Sequence, residues 1–240
     1  MDNIFRQIYE ISPIHLDCHG RVKPSALLFF AQEAAAGHCV ELGLDWQTLA
    51  QKNLFWAVIR QRVQISRLPA AGETITVETW PMPTTRSAYP RSTVGYDENG
   101  QELFRCISLW VLMDTRTRSM ILPGKSGVDV PGILRGNELE APRSIPPTAG
   151  KNTYSRRVDR LDLDRNGHMN NARYLDWIDD LLPSAFRKEN PVREFSICYL
   201  SEALEDQELT INWEFDAASI LQVSACREEQ DRVFTAHVLF

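Results

Sequence analysis

The stretch Asp17-Cys-His-Gly-Arg-Val-Lys-Pro-Ser-Ala-Leu-Leu28 returns in altered form as Asp164-Arg-Asn-Gly-His-Met-Asn-Asn-Ala-Arg-Tyr-Leu175. Aspartate, glycine and two apolar residues occupy equivalent places in both stretches, at one constant offset of 164 − 17 = 147 residues. Each stretch leads into a segment with helical character, residues 27–42 in the first half and 169–182 in the second. A recurrence at a fixed offset indicates that the chain carries two copies of one unit.

The segments that follow each predicted helix alternate between apolar and polar residues, as half-buried strands do. They are residues 56–66, 74–80, 88–96 and 105–114 in the first half, and residues 209–215, 221–225 and 234–240 in the second. The first helix is apolar on every side, so it needs to be enclosed, and a sheet wrapped around it would do so. We therefore expect an α+β structure, a tandem (double) hot-dog fold. In each half a long central helix is wrapped by an antiparallel meander, and the two sheets pair edge to edge.

A segment rich in proline and glycine separates the two halves. Residues 123–152 contain five prolines and five glycines and show little periodicity, which is the composition of a linker. The sequence thus predicts an N-terminal domain over residues 1–122, a linker over 123–152 and a C-terminal domain over 153–240.

Composition excludes several classes of function. The net charge of 26 − 32 = −6 argues against general nucleic-acid binding, because neutralising phosphates needs a basic face. No signal peptide is evident after Met1, and no window approaches the roughly 20 apolar residues that span a bilayer. We expect a cytoplasmic protein without membrane insertion. The five cysteines are scattered and never spaced C-x-x-C, so we expect neither disulfides nor a zinc site, and no cofactor.

The densest polar cluster lies at the turn that precedes the second predicted helix. Asp164, Asn166 and His168 occupy alternate positions there, a spacing that can place three side chains on one side of an extended turn. Hydrolysis of a thioester needs a group that takes the proton from water and donors that stabilise the oxyanion. These three residues, with the amides of residues 167–170 at the start of the helix, would supply both. Helix capping beside a solvated or buried histidine is the alternative interpretation.

The sequence resembles the acyl-acyl carrier protein thioesterases of fatty-acid synthesis, in their bacterial and plant forms, over nearly its whole length. The resemblance rests on Gln32-Glu-Ala-Ala, Trp56-Ala-Val-Ile-Arg, Thr79-Trp-Pro, and Trp110-Val-Leu-Met-Asp with Thr117-Arg. Its most specific part is Arg160-Leu-Asp-Leu-Asp-Arg-Asn-Gly-His-Met-Asn-Asn-Ala-Arg-Tyr174, which is similar to the family's D-x-N-x-H-x-N-N signature.

This resemblance implies catalytic roles for Asp164, Asn166 and His168. Tyr199-Leu-Ser-Glu202 resembles the segment that supplies a further catalytic carboxylate, so Glu202 becomes the fourth member. Plant members have a cysteine after this glutamate, whereas Ala203 stands here, which disfavours a cysteine nucleophile. The implied reaction is hydrolysis of fatty acyl-acyl carrier protein, which releases a free fatty acid and ends chain elongation. Either His168 or Glu202 would be the general base.

The first half lacks the signature, because His19 and Arg21 occupy the places of Asn166 and His168. We expect this half to be non-catalytic and to bind the acyl chain through Phe29, Phe30, Trp56 and Val58.

Two other functions remain open at the level of sequence. The chain could hydrolyse acyl-coenzyme A instead, or it could bind acyl chains without catalysis. Two hot-dog units in one chain are compatible with a monomer and with a homodimer.

Overall fold

The computed structural model describes residues 3–136, 138–228 and 231–240; Asn137 of the predicted linker lies outside the described residues. The strands are β1 Phe5–Glu10, β2 Leu54–Ile65, β3 Thr74–Pro81, β4 Tyr89–Tyr96, β5 Glu102–Asp114, β6 Met120–Ile121, β7 Asn152–Arg157, β8 Glu194–Tyr199, β9 Glu208–Phe215, β10 Leu221–Cys226 and β11 Arg232–Leu239. The helices are α1 Pro24–Glu41, α2 Trp46–Gln51, α3 Pro123–Ser126, α4 Arg173–Asp180 and α5 Ser184–Glu189.

The strands form one antiparallel sheet with the order β1-β3-β4-β5-β2-β8-β11-β10-β9-β7, and β6 pairs with β5. The second half of this order mirrors the first, since β7 to β11 take the places of β1 to β5. The halves join where β2 pairs with β8, from Arg60 opposite Cys198 to Gln64 opposite Glu194. The tandem fold and its edge-to-edge pairing are therefore confirmed.

The predicted simple meander is wrong at one strand in each half. Strands β3, β4 and β5 follow one another in the sheet, but β2 pairs with β5 and not with its neighbour in sequence, β3. The equivalent strand β8 likewise pairs with β11. Pairing of β2 with β8 places these two strands where the halves join, and alternation within one strand carries no information about which strand is its neighbour.

Helix α1 is the central helix of the first half. Pro24 stands in its first turn, where a missing N–H costs nothing, and residues 24–28 are buried on all sides of the helix. Further along, Ala36 and Val40 are exposed on one face. Ala34 is fully buried, and Gly37 lies so close to Phe5 of β1 that a Cβ atom there would be 2.6 Å from Cζ of the ring. Small residues thus bring the helix close to the sheet.

The second half departs from the prediction of one long helix over residues 169–182. Helix α4 begins only at Arg173, because the amides of Met169 and Asn170 donate to the carbonyls of Ala203 and Asp162, 2.8 Å away in each case. Pro183 ends the helical run, and α5 follows it. Hydrogen bonds to neighbouring loops hold residues 169 and 170 outside the helix.

Residues 127–151 contain neither a helix nor a strand in the part that the structure describes. The segment is anchored to the second half, since Ser224 Oγ donates to the Thr148 carbonyl at 2.7 Å and Thr235 Oγ1 donates to the Ile145 carbonyl at 3.1 Å. None of the helices in the described ranges has the length and apolar character needed to cross a bilayer.

Candidate active site

A tight loop holds three of the four predicted catalytic residues, Asp164, Asn166 and His168. Oδ1 of Asp164 accepts the Asn166 amide at 2.7 Å, and the Asp164 amide donates to the His168 carbonyl at 2.8 Å. Gly167 has a φ of +79°, a conformation that glycine adopts without the steric cost of a side chain. The loop is therefore closed by the aspartate at its start and made possible by the glycine.

The first half contains the same loop, as the repeat predicts. Oδ1 of Asp17 accepts the His19 amide at 2.8 Å, the Asp17 amide donates to the Arg21 carbonyl at 2.7 Å, and Gly20 has a φ of +75°. Here, however, Arg21 reaches the carbonyls of Arg187 and Lys188. The place equivalent to His168 thus carries a structural arginine and no base.

His168 and Glu202 form the central pair of the site. Nε2 of His168 lies 3.4 Å from Oε2 of Glu202. Their backbones are held together because the chain at His168 bridges to Leu204 and the Met169 amide donates to the Ala203 carbonyl. The His168 side chain is 15% exposed and that of Glu202 is 37% exposed. The fold thus places a base and a carboxylate together with access to water.

Asp164 and Asn166 form a second pair in the same loop. Nδ2 of Asn166 donates to Oδ2 of Asp164 at 3.3 Å, which leaves the other hydrogen of the amide group available. No side-chain hydrogen bond joins this pair to His168 or Glu202, all four residues being described.

The sequence did not predict that Arg118, from the first half, would reach this site. The guanidinium donates from Nη2 to Nε2 of His168 and to Oε1 of Glu202. Its Cζ also lies 4.6 Å from the centre of the Phe55 ring. Because arginine only donates, Nε2 of His168 accepts here and its ring proton is assigned to Nδ1. The pair is thus built from both halves of the chain.

A cavity of about 400 Å³ lies beside the site, within the first half and at its contact with the catalytic loop. It is large enough for a small-molecule or acyl ligand. Its wall comes from α1, α2, β2, β4 and β5 and is mostly apolar, including Ala35, Ala36, Val40, Leu42, Leu44, Trp46, Phe55, Trp56, Tyr89, Trp110 and Val130. Arg165 and Asn166 complete the wall from the second half, and the Arg165 guanidinium lies 3.8 Å above the Trp46 ring.

The four residues expected to bind the acyl chain occupy different places. Trp56 lines the cavity and donates from Nε1 to the Leu44 carbonyl at 3.1 Å. Phe30 and Val58 are buried away from the cavity wall, and Phe30 packs against Tyr9 and His15. Phe29 also lies outside that wall, with the Arg173 guanidinium 5.8 Å from its ring.

The structure corrects the expected source of oxyanion donors. The amides of Gly167, Met169 and Asn170 all donate to backbone carbonyls, and the helix starts three residues later. They are therefore not available to a substrate. The side-chain amide of Asn166 lines the cavity in this loop and keeps one hydrogen available to a substrate.

Comparison with known protein families assigns both halves. The model for the acyl-ACP thioesterase N-terminal domain matches residues 2–122, and the model for the C-terminal domain matches residues 147–239. The chain belongs to the acyl-ACP thioesterase family. The resemblance drawn from residues 160–174 is thereby confirmed.

Individual members of the acyl-ACP thioesterase family are similar at low identity. A chloroplastic dodecanoyl-[acyl-carrier-protein] hydrolase of Cinnamomum camphora is 28% identical over 221 residues, which cover 86% of this chain and 58% of the relative. A chloroplastic palmitoyl-acyl carrier protein thioesterase of Gossypium hirsutum is 26% identical, with coverage of 86% and 54%. The chain thus spans little more than half the length of these curated relatives.

Solved structures of the family share the fold over the whole chain. An acyl-ACP thioesterase from Bacteroides thetaiotaomicron superposes with a TM-score of 0.90 at 25% identity, covering 100% of this chain and 98% of that one. The 12:0-ACP thioesterase from Umbellularia californica superposes with a TM-score of 0.83 at 24% identity, with coverage of 99% and 97%.

One cysteine of this family member, Cys198, lies close to Glu202 in sequence. Ala203 is fully buried next to Glu202. Cys198 is buried in β8, and its Sγ donates to the Arg143 carbonyl at 3.6 Å. Neither position presents a thiol to a substrate at the pair.

Proposed function

We propose that the chain hydrolyses fatty acyl-acyl carrier protein, releasing a free fatty acid and ending chain elongation. The observation that carries this proposal is the apolar cavity lined by Asn166, which lies in the same loop as His168, the partner of Glu202. An acyl chain in the cavity would leave its thioester beside that loop. The names of the plant relatives support the choice of carrier protein as the partner.

His168 and Glu202 are the proposed proton-handling residues. Water adds its oxygen to the carbonyl carbon and gives a proton to this pair. When the tetrahedral intermediate collapses, the C–S bond breaks, and the pantetheine thiolate takes a proton and leaves as the thiol. No group of the protein becomes covalently attached, in keeping with Ala203 at the place after Glu202.

Asp164 and Asn166 are proposed to orient the substrate. The Asp164 carboxylate holds one hydrogen of the Asn166 amide group, and the second hydrogen is free to donate to the carbonyl oxygen as negative charge develops there. This assigns the oxyanion contact to a side chain and replaces the expected amides of the helix start.

Arg118 is the positioning residue of the proposed mechanism. By donating to both His168 and Glu202 it fixes their mutual orientation, and by lying over Phe55 it ties that orientation to the cavity wall. Either Nε2 of His168 or the carboxylate of Glu202 then accepts the proton from the attacking water.

We propose a division of labour between the halves. Residues 1–122 bind the acyl chain, residues 123–152 connect, and residues 153–240 carry the catalytic side chains. The loop at Asp17 supports this division, because it repeats the geometry of the catalytic loop without the histidine. Trp56 is the residue of the expected four that we retain in the acyl wall.

We place the reaction in the cytoplasm, with the chain as a monomer or a homodimer. Pairing of β2 with β8 already joins two hot-dog units within one chain, so a second copy is not needed to complete the site.

The proposal is tested by thiol release from one acyl chain on two carriers, acyl carrier protein and coenzyme A. Faster release from the carrier protein supports it. Release from coenzyme A alone would make the chain an acyl-coenzyme A thioesterase, and no release from either carrier would identify a binding module.

A further inference from the structure

Arg91 of β4 is a buried arginine in the wall of the acyl cavity. It is 6% exposed, and it lines the cavity together with Cys39 of α1. In the sheet it lies between Pro81 of β3 and Ser108 of β5. A guanidinium at such a place needs a compensating partner, because transfer of a charge from water to a buried site is costly.

The groups around Arg91 are neutral acceptors. Its Nη1 donates to Nδ1 of His38 at 3.1 Å and to Oγ1 of Thr79 at 3.3 Å. Burial, with Arg91 as a lesser cause, lowers the pKa of His38 to about 4, and burial raises the pKa of the Cys39 thiol. Histidine and cysteine therefore carry no charge at neutral pH, and the hydroxyl of Thr79 carries none.

No carboxylate of the described residues lies within 4.0 Å of the Arg91 guanidinium. Arg187, which is buried to the same extent, shows the usual solution: its Nε lies 2.5 Å from Oδ1 of Asp179. Arg91 is thus a cation held in place by neutral groups. The carboxylate of Asp45 lines the same cavity but accepts the amides of Gln47 and Thr48 and makes no ion pair with Arg91.

The strand register separates Arg91 from Phe55, the cavity residue that contacts Arg118. Phe55, beneath Arg118, pairs with Met113 of β5, whereas Arg91 pairs with Ser108 of the same strand. Five residues of an antiparallel strand span about 17 Å. Both Phe55 and Arg91 line the cavity, so the cavity extends from the residue that contacts Arg118 to the buried guanidinium.

We propose that Arg91, held by His38 and Thr79, is a carboxylate subsite in the wall of the acyl cavity, away from Phe55. This proposal rests on the proposed function of the cavity. The ligand class is an aliphatic chain with a carboxylate, for which there are two sources. One is the terminal carboxyl of a substrate acyl chain, that is, the monothioester of a dicarboxylic acid. The other is the head group of a released fatty acid that enters carboxylate first.

Binding is measured first, by calorimetry with dodecanoate, dodecanedioate and dodecan-1-ol as probes that differ only in their end groups. The variant Arg91→Met removes the charge and keeps an apolar stem, Arg91→Lys keeps the charge, and Arg86→Met removes an exposed arginine as the matched control. We expect Arg91→Met to weaken the binding of both carboxylates at least about tenfold relative to that of the alcohol. Arg91→Lys should retain most of the preference for carboxylates over the alcohol, and Arg86→Met should retain it fully.

Hydrolysis then distinguishes the two sources. If the substrate supplies the carboxylate, the ratio of kcat/KM for the dodecanedioyl monothioester to that for the dodecanoyl thioester falls in Arg91→Met. If the product supplies it, inhibition by dodecanoate falls instead while this ratio stays constant.

Equal binding of alcohol and carboxylates by the wild-type protein would overturn the subsite, even if Arg91→Met does not fold. An equal loss of affinity for all three probes in a folded Arg91→Met would also overturn the subsite, because it would show that Arg91 only maintains the shape of the cavity. Absence of thiol release from every thioester would refute the proposed function alone, because calorimetry does not require turnover.

Discussion

Replacement of Arg118 by methionine tests whether the first half contributes to the catalytic pair. The substitution removes the guanidinium that donates to His168 and Glu202 and keeps a side chain able to cover Phe55. Arg118 lies in the exposed turn between β5 and β6, so we expect the protein to fold normally.

The expected fall in kcat of Arg118→Met follows from the two hydrogen bonds that are lost and from the solvent exposure of their side chains. A hydrogen bond to a charged group contributes about 1.5 to 3 kcal/mol when shielded, and an exposed ion pair about 1 kcal/mol or less. The Arg118 and Glu202 side chains are 39% and 37% exposed, so we assign the lower part of this range, about 1 to 2 kcal/mol. Because a change of 1.36 kcal/mol in the activation free energy changes a rate tenfold, kcat should fall roughly 5- to 30-fold.

The assay is steady-state thiol release from acyl-acyl carrier protein, with kcat and KM determined separately. Arg116→Met is the matched control, since Arg116 lies in the same turn and its side chain makes no hydrogen bond or ion pair with the described residues. Arg118→Lys should recover part of kcat, because lysine restores the charge without the planar fork. A kcat for Arg118→Met within twofold of wild type, or an equal fall in Arg116→Met, would refute the positioning role.

Two further predictions concern the repeat and the buried histidine. Gly167→Ala and Gly20→Ala introduce a side chain at a φ of +79° and +75°, with no atom within 4 Å of the new Cβ in either place. Each substitution should lower the free energy of unfolding, measured by urea titration, by about 1 kcal/mol. Only Gly167→Ala should lower kcat, and equal losses of kcat in both variants would contradict a catalytic role confined to the second loop. Burial, and to a lesser extent Arg91, lowers the pKa of His38 from 6.5 to about 4. Between these two pH values the unfolded chain therefore binds more protons at His38 than the folded chain does. Stability should therefore be fully present near neutral pH and decline as the pH falls through this range, by up to about 3 kcal/mol from this group. His38→Asn, which retains an acceptor for Arg91, should show a smaller decline between pH 7 and pH 4.5 in urea titrations, and an unchanged decline would show that His38 is not the cause.

The sequence predicted the fold where local pattern decides it. Aspartate and glycine at a constant offset predict the two loops, since each closes through its own aspartate and needs a positive φ at its own glycine. The position of β2 was not predictable in this way, because pairing with β5 and β8 depends on packing between distant segments. The sequence pattern does not predict the edge strands β1 and β7 either, and β7 is largely polar and exposed. The start of α4 was misplaced because hydrogen bonds from Met169 and Asn170 to other loops replace helical ones.

In the candidate active site, too, the sequence predicts residues in local motifs but not contacts between distant segments. Asp164, Asn166, His168 and Glu202 stood out in two short segments with recognisable spacing. Arg118 is 84 residues from Glu202 in sequence, and a pair of arginines in a turn is most often a solvated face. Its contact with the pair arises only because β2 and β8 bring the two halves together. The expectation that Phe30 binds the acyl chain rests on its place in the first predicted helix, but its side chain packs against Tyr9 and His15.

The most direct test of the central claim is thiol release from acyl-acyl carrier protein by wild type, His168→Ala and Glu202→Gln, each first shown to be folded by its thermal transition. The account predicts turnover by wild type and a fall in kcat of about a hundredfold or more in each variant, because general acid–base groups contribute on this scale. Wild-type kcat in a folded His168→Ala or Glu202→Gln would contradict the account and place the chemistry elsewhere in the cavity.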